Sequence, residues 1–200
     1  MKPNQFQRHL AQLKGWRETA FILALAERAY PNFALFSQVT AFSGFNAVTT
    51  CLAKGWDALI ENAEEDRYIE LLELLEENVP NLADYDMYGA IPAVSFCETL
   101  EQGLLTQVNN EKRRAAETAQ GSFEGVMEFI ETTEGEGLSE DELVKLFDQS
   151  PLIKREMAFQ EELVDRLRKE SVPDKHVVAG LKLLASDEGV SNIGISLDED

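Results

Sequence analysis

The chain has 200 residues, enough for one domain, and its 44% hydrophobic and 8% aromatic content supplies an ordinary core. A net charge of −19 and a pI near 4.4 create a field that repels phosphate backbones and anionic lipid, which argues against nucleic-acid and membrane binding. Only Cys51 and Cys97 are present, each in an apolar helical pattern and with no CxxC pair, so they read as buried, reduced thiols rather than a disulfide scaffold.

The opening MKPNQFQRHL lacks the apolar centre of a signal peptide, and the longest apolar run, residues 21–26, is too short to span a bilayer. A cytoplasmic location is the expectation. Residues 4–29 read as helix, with Phe6, Leu10, Leu13 and Trp16 at three- and four-residue steps and Gly15 as a point of division. Tyr30-Pro31-Asn32 is expected to stop it, because proline disfavours helix in the residue before it. Residues 33–42 then form a short aromatic helix closed by Gly44. The next helix, 45–62, carries Val48, Leu52, Trp56 and Leu59 on one face.

Acids at 64–66 favour a helix start, and RYIELLELLEENV follows, burying Tyr68, Leu71, Leu72, Leu75 and Val79. Pro80 ends it, and residues 81–89 form a loop. Helical spacing returns over 91–108 through Val94, Cys97, Leu100 and Leu104, with Pro92 tolerated in the first turn. Residues 110–133 continue in helix, their alanines allowing a neighbour to approach closely. A flexible break at 134–137 precedes a capping box made by Ser139 and Glu142.

Residues 150–171 are the most informative stretch. Ser150 caps a helix and Pro151 suits its first position. Leu152, Ile153, Met157, Phe159, Leu163, Val164 and Leu167 occupy an arc of about 160°, and Glu156 and Gln160 lie near its middle. A last helix starts at Val172-Pro173-Asp174 and closes at Gly189. In the tail, Ile193, Ile195 and Leu197 alternate, predicting an extended segment packed against the helices, with residues 198–200 frayed. The fold class is all-α: a single domain of eight to ten helices over 1–197, with a short extended C-terminal tail.

The metal motifs fail. Three residues before His9 and His176 stand Phe6 and Pro173, so no Glu-x-x-His pair exists. Asp84-x-Asp86-x-Tyr88-Gly89 opens like a calcium loop, but Ser95 stands where a bidentate glutamate is required, and the stretch reads as a turn with capping aspartates. There is no P-loop and no nucleophile elbow, so neither metal nor cofactor is expected. The basic groups 112–114 and 166–169 sit among glutamates and read as surface ion pairs.

Two clusters keep two readings each. Glu27, Arg28, Tyr30 and Asn32 form either a buried ion pair followed by a turn in which Asn32 bonds its own backbone, or part of a pocket. Glu156 with Gln160 is either a structural network or a general base with a partner.

Three ordered motifs, Glu27-Arg28-Ala29-Tyr30-Pro31-Asn32-Phe33, Asp86-Met87-Tyr88-Gly89-Ala90-Ile91-Pro92-Ala93 and Ser191-Asn192-Ile193-Gly194-Ile195, together resemble the YjaG-like family of uncharacterised bacterial proteins. The resemblance spans nearly the whole chain. It implies an all-helical bacterial cytosolic protein and transfers no activity. Two functions stand open. The charge favours a non-enzymatic interaction or regulatory protein with a basic protein partner. The alternative is a small-molecule binder or enzyme with a pocket built from Glu27, Arg28, Tyr30, Asn32, Asp86, Tyr88, Glu156 and Gln160, with Asn192, Ile193 and Ile195 packing the tail. A homo-oligomer is compatible with both.

Overall fold

In the computed structural model, which describes residues 3–109, 111 and 113–197, one long helix organises the rest. After α1 (Pro3–Leu10) comes α2 (Trp16–Thr40), in which Ala20 to Ala26 are buried without interruption. A helix apolar on all sides must be enclosed. The enclosure comes from α3 (Phe45–Glu61), α5 (Ala90–Leu105), α6 (Arg114–Glu134), α8 (Pro151–Leu167) and α9 (Lys175–Ser186), of which α5 packs against α2 most extensively. Gly103 permits that approach, since a Cβ there would lie 3.1 Å from Leu23 Cδ2. α4 (Glu65–Glu76) closes over α3, and α7 (Glu140–Gln149) lies outside with no buried residue. Among the described residues there are nine α-helices and no strand, and no helix is long and apolar enough to cross a membrane.

Pro31 does not stop a helix: α2 runs through it to Thr40. Proline in a helix interior costs about 3 kcal/mol in the lost bond and the ring clash. Both flanks are buried, however, and Phe33 stacks on Phe96 at 5.0 Å and on Phe45 at 6.0 Å, so packing outweighs the defect. The helix ends instead at Ala41, left-handed at φ 51°, whose N–H donates to Ser37 O. The separate aromatic helix expected at 33–42 is therefore the second half of α2.

Local signals elsewhere hold. Ser139 and Glu142 form their capping box, Ser150 Oγ accepts from Ile153 N–H, and Asp174 accepts from His176 and Val177 N–H. In the 81–89 stretch the cap comes from Asn81, which accepts from Ala83 N–H, rather than from an aspartate. Val79, placed inside by periodicity, is exposed because α4 ends at Glu76, before it. Met157 is exposed because it lies at the edge of the buried arc of α8. Arg114, expected on an open face, is buried and engaged by Gln102, Asn109 and Glu111.

The tail turns back on itself rather than running extended. Val190 pairs with Ser196 in an isolated antiparallel bridge, Ser191 N–H donates to Ile195 O at 2.8 Å, and Gly194 takes φ +85° at the turn. The loop drives Ile193 into a second apolar cluster with Val126, Ile130 and Ile153. Ile195 is half-buried, and the fraying expected at 198–200 lies outside the described residues.

Candidate functional site

The phase of α8 puts Glu156 and Gln160 toward α2 and α6, and both are buried. Glu156 Oε2 accepts from Arg28 Nε at 2.9 Å; Oε1 accepts from Ser122 Oγ at 2.9 Å and from Gln160 Nε2 at 2.8 Å. Gln160 also donates to Ala119 O, which fixes α8 against α6. The Arg28 guanidinium lies 4.4 Å over the Phe159 ring and pairs with Asp187 at 3.4 Å. Asp187 pairs as well with Arg155, also at 3.4 Å, and Arg155 Nη2 donates to Ser191 O. Two arginines and two carboxylates thus balance in one cluster, its inner pair Arg28 and Glu156 buried and its outer pair Arg155 and Asp187 reaching the surface. Arg28 Nη2 and Arg155 Nε have no hydrogen-bond partner among the described residues, the latter standing in ion-pair range of Asp187.

One turn along α2 from Arg28, Asn32 Nδ2 donates to Asn192 Oδ1 at 2.9 Å. Asn32 therefore reaches the C-terminal loop and not its own backbone, since α2 leaves no turn there for it to close. Its Oδ1 is buried without a partner. Both asparagines line a cleft of about 50 Å³ between α2, α5, α6 and the loop. Tyr88, Ile91 and Pro92 form one wall, Ser95 and Thr99 of α5 another, and Gly121, Ser122, Gly125 and Glu128 of α6 a third, with Ile193 beside Asn192. Tyr88 tilts against Phe129 at 6.0 Å, and burial together with the nearby Glu128 carboxylate pushes its hydroxyl pKa above the ordinary value.

The remaining candidates lie elsewhere. Glu27 faces the other side of α2, where Trp56 Nε1 donates to it at 2.9 Å and Lys182 stands 3.9 Å away. Burial raises its carboxyl pKa, opposed by Lys182 and Trp56. Tyr30 packs edge-on against Phe96, and Asp86 is exposed. Arg28, Glu156 and Gln160 support the cleft from below, through Ser122. Sequence reasoning missed Ser122, Arg155, Asp187 and the two glycines of α6. The Gly121/Gly125 pair was legible as a small-residue strip on one helix face. No group of three histidine, cysteine, aspartate or glutamate side chains is arranged to hold a metal among the described residues.

The fold and site define a helical protein whose three sequence motifs meet at one cleft above a buried ion-pair cluster. A family model described as "Protein of unknown function (DUF416)" matches residues 5–196, and the chain belongs to that family. It is similar to "Uncharacterized protein YjaG" of Escherichia coli K12, 29% identical over 196 residues and 98% of each chain. It is equally similar to an uncharacterised Haemophilus influenzae protein, 29% identical over 198 residues, covering 98% of this chain and 99% of that one. A crystal structure of a DUF416 family protein from Shewanella baltica OS155 superposes with a TM-score of 0.83 at 26% identity, covering 95% of this chain and 97% of that one.

Proposed function

We propose that this is a non-enzymatic binding protein whose site is the cleft where the three motifs meet. The observation that carries the reading is convergence. Asn32, Tyr88 and Asn192, each from a different motif, line the same small cleft, and one of them holds an unpartnered buried acceptor. A concave, partly apolar site with a few convergent polar groups is the usual form of a ligand pocket. Catalysis is disfavoured by the saturation of Glu156: both oxygens already accept from neighbours, so this carboxylate holds three side chains in place instead of taking a substrate's proton. The reading treats residues 1–197 as one domain. Two unpaired, buried cysteines support a reducing compartment, and we place the protein in the cytoplasm.

The test is a panel of small anions, cations and neutral amides, scored by thermal stabilisation of the wild type and of Gly125→Leu, which fills the cleft. A specific ligand stabilises only the form it can enter. At least one class should raise the wild-type Tm and leave the variant unmoved. If no class separates the two proteins, the cleft is not a binding site.

A further inference from the structure

Resting on that reading, we infer that the cleft is an ammonium site, and that the groove continuing from it between α5 and α6 takes the rest of a linear alkylammonium ligand. Asn32 is 3% exposed; its Nδ2 is committed to Asn192 and its Oδ1 to nothing. Buried acceptors are rarely left unpaired, so the missing group is a hydrogen-bond donor.

Two hydroxyls of the lining say the same. Thr99 Oγ1 donates to Ser95 O at 2.8 Å and Ser122 Oγ donates to Glu156 at 2.9 Å, so both protons are spent inside the protein. Toward the cleft these oxygens present lone pairs only. Glu128 adds a carboxylate, and no lysine, arginine or histidine is among the lining residues. A primary ammonium, three donors and no acceptor, complements these acceptors, and the Ser95 and Tyr88 hydroxyls of the same lining can accept as well as donate.

Size agrees. A cavity needs about 10–15 Å³ per water, so about 50 Å³ takes a head group of a few heavy atoms and nothing larger. The remainder of the ligand has a path. Ser95, Thr99, Gly121 and Ser122 also line an adjoining groove of about 520 Å³, whose walls carry Glu98, Glu101 and Glu117. The one arginine there, Arg114, is tied to Gln102, Asn109 and Glu111. Acid along the whole path favours a chain carrying further positive charge.

Alkylammonium chemistry comes from a free polyamine or from a lysine side chain of a basic protein. NMR titration of the uniformly labelled chain at 0.15 M salt, where loose counterion binding is screened, separates them using spermidine, an acetylated penta-lysine peptide, acetamide and acetate. The amide signals of Gly121 and Gly125 should shift saturably with spermidine or the peptide. The tighter of the two names the source. Gly125→Leu should abolish the shifts at Gly121 while remaining folded, since a Cβ at Gly125 meets nothing within 4 Å. Glu128→Gln should weaken binding about three- to tenfold. Saturable shifts from acetamide or acetate and none from either amine would overturn the ammonium assignment and leave the binding reading standing. Equal amine binding by Gly125→Leu would show adsorption to the acidic surface and overturn the assignment. If no probe moves either glycine, the assignment falls.

Discussion

Replacing Arg28 by methionine removes one side of the buried ion pair while keeping most of the side-chain volume. Glu156, wholly buried, would then keep only the hydroxyl of Ser122 and the amide of Gln160. Asp187 would keep Arg155, and Phe159 would lose the guanidinium over its ring. Breaking a buried pair from one side costs about 3–5 kcal/mol, most of it the uncompensated charge left behind. For a chain of this length each kcal/mol moves Tm by about 2–4 °C, which predicts a drop of roughly 6–20 °C. The informative comparison is the double variant Arg28→Met/Glu156→Met. With both charges gone no buried charge is stranded, only the Ser122 hydroxyl loses its acceptor, and the double variant should recover at least half of the loss suffered by Arg28→Met. Urea unfolding of the wild type, both single variants and the double variant completes the cycle. If the double variant is as unstable as the two single losses added together, the pair is not coupled and the reasoning fails. Raising the salt to 1 M should leave the coupling nearly unchanged, since buried charges are poorly screened.

Burial raises the Glu27 pKa above 4.5, so the folded state holds that proton better than the unfolded chain. The associated stabilisation is complete below the unfolded value and is lost as pH rises through the folded one. Glu27→Gln should therefore gain stability relative to wild type as pH climbs through that window, measured by urea unfolding from about pH 4 to 7; a gain confined to the acid end would reverse the sign and refute it. Burial pushes Cys51 to about 11 and Cys97 to about 12, so neither thiol should react with an aromatic disulfide reagent at neutral pH until urea is added. Ending the chain after Gly189 removes Ile193 from its cluster and both the Asn192 and Ser191 contacts, and should lower Tm by roughly 5–10 °C; an unchanged Tm would mean the loop contributes nothing to the fold.

Helix existence was readable wherever periodicity and caps agreed, as at Ser139, Ser150 and Asp174. Pro31 was misread because a local rule describes the cost of a helical proline and knows nothing of the aromatic packing that offsets it. The burial of Glu156 and Gln160 followed from phase alone, since seven apolar residues fixed the inward direction. Their partners did not. Periodicity describes one helix at a time, and Arg28 meets Glu156 across 128 positions of chain. The tail showed the same boundary. Its apolar residues announced packing, but the reversal at Gly194 depends on a bond between Ser191 and Ile195 that no alternation pattern encodes. Asn32 was singled out beside a proline for the wrong reason, as a turn residue; its role comes from Asn192 arriving at the same point.

Asn32 and Asn192 are 160 positions apart, and that separation sets an order of events at the ribosome. At about 5–20 residues per second, roughly 8–32 s pass between the synthesis of the two asparagines. For most of that interval α2, whose residues 20–26 are all buried in the folded protein, exists without α8, and Arg28 without Glu156; the closing loop comes last of all. The nascent chain must therefore wait in a sticky, half-built form, and its exposure to aggregation is decided before its last ten residues are made.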